Sequence, residues 1–158
     1  MTTQNIILKR TDSTDADFHL LIALLDKELN ERYGDLMQST YDRHNHIVDI
    51  NTVVIAYNNG IPVGCACFKK YDNTSVEIKR MFVKATERGQ GIAYKILSEL
   101  ELWAKENGFT YSILETGDKQ HEAVALYEKL GYLITKNYGQ YSDLATSICM
   151  RKELQNPK

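Results

Sequence analysis

Proline is nearly missing from this chain, with Pro62 and Pro157 the two in 158 residues. There is no Gly-, Ser- or Pro-rich tract and no internal repeat, so nothing reads as a linker, and 1–158 is expected to fold as a single domain. Cysteine is scarce and odd in number: Cys65, Cys67 and Cys149. A disulfide framework needs pairs. A zinc site needs four ligands at suitable spacing, yet no Cys-x-x-Cys occurs, and His44 and His46 lie elsewhere. The thiols are read as buried and free, in a reducing compartment, and no metal is expected. An excess of one charge is lacking too: 19 Lys plus Arg against 21 Asp plus Glu leave a formal charge of −2. Without a basic surplus to neutralise phosphates, no nucleic-acid partner is expected. No apolar run approaches the roughly 18 residues of a membrane span. Met1 to Asn5 has neither the basic nor the apolar part of a secretory signal. No membrane partner is expected, and the location is read as cytoplasmic.

What is present is an ordinary globular mixture, 43% hydrophobic and 25% charged. Asn5 to Arg10 reads as a strand. Phe18, Leu21, Ile22, Leu24, Leu25 and Leu29 recur at helical spacing, predicting a helix over Asp15 to Tyr33 with Asp15 or Asp17 as cap and Gly34 at its end. A shorter helix is read over Thr40 to His46. Thr52 to Tyr57 and Ile61 to Phe68 flank Asn58-Asn59-Gly60, whose Asn-Gly step suits a type I′ hairpin. Ser75 to Val83 follows as a third antiparallel strand. In it, Val76, Ile78, Arg80 and Phe82 alternate with Glu77, Lys79, Met81 and Val83. Then come an amphipathic helix over Gly91 to Glu106, a buried strand over Tyr111 to Leu114 and a helix over Gln120 to Leu130 ending at Gly131. Strands Tyr132 to Thr135 and Ser147 to Arg151 close the chain, joined by the loop Tyr138-Gly139-Gln140-Tyr141. The order β-α-(α)-β-β-β-α-β-α-β-β predicts an α/β fold, a mixed sheet with helices on its faces.

The segment Val83-Lys84-Ala85-Thr86-Glu87-Arg88-Gly89-Gln90-Gly91-Ile92-Ala93 carries a strand into a glycine-containing loop that opens a helix. The first N–H groups of that helix lack intrahelical partners and point out at its positive end. Gly89 and Gly91 let a ligand approach the backbone, and Arg88 adds positive charge. The arrangement suits a diphosphate. A P-loop would need Gly-Lys-Ser/Thr, but Gly91 is followed by Ile92-Ala93-Tyr94. A dinucleotide fingerprint would need a third glycine where Tyr94 stands.

The pattern that fits is Arg/Gln-x-x-Gly-x-Gly/Ala, here Arg88-Gly89-Gln90-Gly91-Ile92-Ala93. With Leu126-Tyr127-Glu128-Lys129-Leu130-Gly131-Tyr132 as a second hallmark downstream, the chain resembles the GNAT superfamily of N-acetyltransferases over its whole length. The resemblance implies the GNAT fold, a mostly antiparallel central sheet with helices on both faces, and acetyl-CoA as co-substrate. It implies that the coenzyme A diphosphate rests on the amides of Arg88, Gly89, Gln90, Gly91, Ile92 and Ala93. The pantetheine arm would pair with the backbone of Met81, Phe82 and Val83 in a cleft between two splayed strands. Thr116 would stand at the cleft mouth. Gln120 replaces the Asn often found at its position, keeping an amide donor with a longer reach. A homodimer is compatible with family precedent.

The implied reaction moves an acetyl group from acetyl-CoA to a primary amine, of a small molecule rather than a protein tail, by direct attack through a tetrahedral intermediate. The amine must lose a proton, the oxyanion needs a donor and the departing sulfur needs a proton. A strand N–H near Phe82 or Val83 serves as oxyanion donor, and Tyr127, beside the cleft, is the candidate acid; its other reading is a core tyrosine. Glu77, on the strand leading to the cleft and sharing a face with Lys79, Met81 and Val83, is the candidate base. Asp26, Glu28, Glu31 and Asp35 make the end of the first helix acidic, and Glu28 is taken as a contact to a cationic acceptor. Tyr138 and Tyr141 are taken as one wall of the acceptor pocket. His121, at a helix start, is read as exposed. Two alternatives stay open: a non-catalytic acyl-CoA sensor, and acetylation of a peptide amine.

Overall fold

The computed structural model describes residues 4–33 and 49–154. Seven strands, β1 (Ile6–Thr11), β2 (Val53–Asn58), β3 (Ile61–Lys70), β4 (Ser75–Val83), β5 (Tyr111–Gly117), β6 (Leu133–Thr135) and β7 (Ser147–Glu153), form one sheet in the order β1-β2-β3-β4-β5-β7-β6. Neighbours run antiparallel except β4 and β5, which are parallel. The described helices are α1 (Ala16–Tyr33), α2 (Ile92–Glu106) and α3 (His121–Lys129). The mixed, mostly antiparallel sheet and the order of elements agree with the sequence pattern. The helix expected over Thr40 to His46, Gly34 and Asp35 lie outside the described residues.

Asp15 is the residue that opens α1: its Oδ1 accepts the Asp17 N–H at 2.9 Å, while Oδ2 takes the Thr11 hydroxyl at 3.0 Å. That satisfies a donor the helix itself cannot. Phe18, Leu21 and Leu25 bury one side of α1 against Val53, Ile55, Cys65, Cys67 and Phe82 on one face of the sheet. Leu24, part of the same sequence stripe, is turned outward. On the other face, Ile92, Ile96, Leu97, Leu100 and Ala104 of α2 pack with Tyr127 of α3 onto Val54, Val63, Ala66, Ile78, Leu114 and Met150. Fully burying side chains of this size is worth about 1.5–3 kcal/mol each, which is what seats both helix layers. The β2–β3 hairpin turns through Asn59 (φ 52°) and Gly60 (φ 84°), the two positive φ values a type I′ turn requires.

The regular alternation read along Ser75 to Val83 does not survive intact. Cys67 pairs with Lys79 and Cys65 with Phe82, so three steps of β4 face two of β3, a bulge centred on Arg80 at φ 60°. Glu77, Lys79 and Phe82 therefore share the α1 face, while Val83 joins Val76 and Ile78 under α2. The expected common face of Glu77, Lys79, Met81 and Val83 holds for Glu77 and Lys79 and is broken beyond them. Arg80 is held in this uncommon conformation by Asp26 of α1, which takes both terminal nitrogens at 2.6 and 3.2 Å. Cys65 and Cys67, buried as expected, direct their thiols at the carbonyls of Arg80 and Lys79, at 3.6 and 3.4 Å.

Candidate active site

The parallel ladder between β4 and β5 stops at Ile78 and Leu114. Beyond it β4 stays with β3 and β5 with β7. Strands anchored to different neighbours after a bulge must diverge, and a cavity of about 560 Å³ opens between them. Its walls are the edges of β4 and β5, the start of α2, α3 and, on the far side of the sheet, Leu25, Glu28 and Leu29 of α1. At one rim Arg32 near the end of α1 meets Glu122 of α3 at 2.7 Å.

One end of the cavity is the glycine loop. Gly89 (φ 81°) and Gly91 (φ 82°) both adopt left-handed backbone, and Gly91 is the residue that precedes the first turn of α2. The positive φ is the reason these positions are glycine, since a Cβ built at either would meet no atom within 4 Å. Among the described residues the N–H groups of Gly89 to Tyr94 donate to no backbone carbonyl, and the first bond of the helix runs from Lys95 N–H to Gly91 O at 3.1 Å. Unpaired amides facing open space, at the positive end of a 15-residue helix, fit a diphosphate. Gln90 stands outside the lining. Arg88 lines the cavity, but its charge is shared: Nη2 contacts both oxygens of Glu28 at 2.8 Å, and Nε donates to the Val83 carbonyl at 2.9 Å. With Asp26 on Arg80 and Glu28 on Arg88, these two acids of α1 are neutralised by arginines rather than left open to a cationic acceptor.

The other end holds the titratable groups. Tyr127 is buried in the wall beside Tyr132, with the rings edge-on at 5.9 Å. Burial, reinforced by the charge of Glu115, raises its hydroxyl, so it stays protonated. Tyr132 itself is a core pillar, its hydroxyl shared between Ser112 and Glu101. Across the sheet, Glu77 is 1% exposed: its Oε2 accepts from the Tyr138 hydroxyl at 2.8 Å, and Oε1 lies 3.7 Å from Lys79 Nζ and 3.8 Å from Lys69 Nζ. Lys79 in turn donates to the Tyr141 hydroxyl at 3.1 Å. Burial pulls the Lys79 ammonium down from its ordinary value, opposed by the charge of Glu77. Glu115 receives the Ser147 hydroxyl on Oε2 at 2.6 Å, and burial lifts its carboxyl to about 7 against the pull of that bond and of Lys79.

The cavity thus brings together Glu77, Met81, Phe82, Val83, Arg88, Gly89, Gly91, Ile92, Ala93, Thr116, Gln120, Tyr127, Glu28 and Tyr141. Tyr138 does not line it; it acts one step back by holding Glu77. His121 is exposed on the outside. Lys79 and Glu115 were missed as site residues from the sequence, although each is a charge set among strand hydrophobics, which is the signal that marks an inward-facing polar position. Among the described residues no group of His, Cys, Asp and Glu is arranged to hold a metal, and no helix is long and apolar enough to cross a membrane.

Comparison with known proteins agrees with this geometry. The model of the acetyltransferase (GNAT) family matches residues 18–132. An IAA acetyltransferase from Azospirillum brasilense is 32% identical over 141 residues, 84% of this chain and 90% of that protein. A Klebsiella pneumoniae protein assigned to the acyl-CoA N-acyltransferases superposes with a TM-score of 0.78 at 28% identity, covering 95% of this chain and 98% of its own. The PaiA N-acetyltransferase of Thermoplasma acidophilum, solved with coenzyme A, shares the fold with a TM-score of 0.72 at 17% identity, over 94% of this chain and 99% of its own.

Proposed function

The chain belongs to the GNAT family of acetyltransferases, and on that premise we propose that it moves an acetyl group from acetyl-CoA to a primary amine of a small molecule by direct attack. The observation that carries this reading is the parting of β4 and β5, which joins unpaired amides at one end of a single cavity to a buried phenol, a buried ammonium and two carboxylates at the other. The fit to the donor is physical. The amides of Gly89 to Ala93 suit the diphosphate, and the backbone of Met81 to Val83 suits an extended amide-bearing arm, with Thr116 and Gln120 across the gap. Acetyl-CoA supplies an acetyl group on a good leaving sulfur.

The chain's own residues divide the remaining work. Tyr127, kept protonated by burial, presents its hydroxyl hydrogen to the departing sulfur. A backbone N–H of β4 near Phe82 or Val83 is the donor for the oxyanion, where the low-dielectric cavity strengthens the bond. Lys79 stands beside the entry of the acceptor. A like charge disfavours an ammonium, so its presence helps the amine arrive neutral. Leu25, Leu29 and Tyr141 supply an apolar and aromatic acceptor wall.

The test is calorimetry with acetyl-CoA, followed by release of free thiol against a panel of amines. Binding that is lost on placing a bulky side chain at Gly91, together with amine-dependent thiol release, supports the reading. Absence of acetyl-CoA uptake overturns it. Uptake without turnover on any amine favours a sensor.

A further inference from the structure

Two carboxylates flank the point where the sheet opens, and their surroundings differ. Glu77 is paired with Ile113 in the last stretch of the β4–β5 ladder. Its Oε2 accepts from the Tyr138 hydroxyl, while its buried Oε1, with no hydrogen-bond partner among the described residues, lies within ion-pair distance of Lys79 and Lys69. Glu115 is the first residue of β5 beyond that ladder, opposite the first free position of β4, which is Lys79. It points to the same face as Glu77 and lines the cavity. The groups facing it are Lys79 and Glu77 from β4, Ser147 and the paired Cys149 from β7, Tyr127 from α3 and Tyr141 from the aromatic loop. Ser147 fixes the carboxylate by one oxygen.

Resting on the acetyltransfer reading, we propose that Glu115 is the catalytic base of this chain and that Glu77 is a positioning residue that holds Lys79. Glu115 takes a proton from the attacking nitrogen as the new C–N bond forms. The C–S bond breaks, its electron pair leaves on sulfur, and the sulfur accepts the Tyr127 hydroxyl proton, which the proton held by Glu115 then replaces. Atoms and charge balance, with one proton passing overall from nitrogen to sulfur. A carboxyl poised near neutrality suits this task, because at working pH a large fraction is ready to accept. Two carboxylates in unlike environments, Glu77 fully buried and ion-paired and Glu115 half-buried and lining the cavity, are the arrangement expected when acid–base roles are divided.

The experiment compares Glu115→Gln, Glu77→Gln and Ser147→Ala with the unaltered protein. In ¹³C-carboxyl glutamate-labelled protein, one resonance titrates near pH 7 and is missing from Glu115→Gln. The pH profile of kcat/KM rises through the same value, apart from the limb of an alkylammonium acceptor near 10.4. Glu115→Gln removes that rise and lowers kcat/KM on the order of 10²–10⁴-fold, while acetyl-CoA affinity stays within about 3-fold on calorimetry. Ser147→Ala moves both resonance and limb upward, because it removes the hydrogen bond that favours the anion. Glu77→Gln keeps the limb and raises KM. A rate and limb unchanged in Glu115→Gln, a limb lost in Glu77→Gln, or no carboxyl titrating above pH 6 overturns the assignment while leaving acetyltransfer standing. Failure of the unaltered protein to bind acetyl-CoA overturns both.

Discussion

Replacing Glu115 with Gln measures how strongly the fold resists a charge in the cleft, independently of any substrate. The carboxyl is lifted from its ordinary 4.5 to about 7, chiefly by burial. A tenfold change in proton affinity is worth about 1.4 kcal/mol, so complete ionisation costs the folded state about 3 kcal/mol relative to the unfolded chain. Because the folded value is raised, the contribution of Glu115 to stability is whole below pH 4.5 and is lost as pH rises through 7. The amide of Gln keeps an acceptor for the Ser147 hydroxyl and has no proton to lose. Urea denaturation should therefore show the variant gaining on the unaltered protein by about 2–3 kcal/mol between pH 5 and pH 8, even as its activity falls. A stability difference that is the same at both pH values, or one that favours the unaltered protein at pH 8, refutes the argument from desolvation.

Three further outcomes follow from the same geometry. Gly91→Ala meets no neighbouring atom, so its cost is conformational, about 1 kcal/mol in denaturation, with acetyl-CoA affinity falling on calorimetry as the Cβ enters the space before the amides. Tyr127→Phe should lower kcat by about 10²-fold or more with the KM for acetyl-CoA little changed, since the ring still packs on Tyr132; an unchanged kcat with only a loss of stability would mean a purely structural tyrosine. The three cysteines should resist alkylation in the folded protein at pH 8, because burial pushes Cys67 to about 12 and Cys149 to about 11, and mass spectrometry should show modification after denaturation.

Much of the architecture was legible because it is encoded over short stretches. Asn59-Gly60 specifies its hairpin through φ, the stripe from Ile92 to Ala104 specifies the packed side of α2 through helical period, and Gly89 and Gly91 mark the turn that opens α2. The sequence also carried the family through two motifs lying on their proper elements. Alternation along Ser75 to Val83 sets the face of Glu77, but it does not say what meets the carboxylate from 61 residues away, where Tyr138 lies.

Local pattern thus settled the elements, their order and the glycine loop, since backbone conformation and apolar period are properties of neighbouring residues. The tertiary structure alone decided the bulge at Arg80, the parting of β4 from β5, the capture of Arg88 by Glu28 and the desolvation of Glu115. Each of these depends on groups far apart in the chain, and at the carboxyl of Glu115 the low-dielectric surroundings, rather than the residue type, set the strength of the interaction.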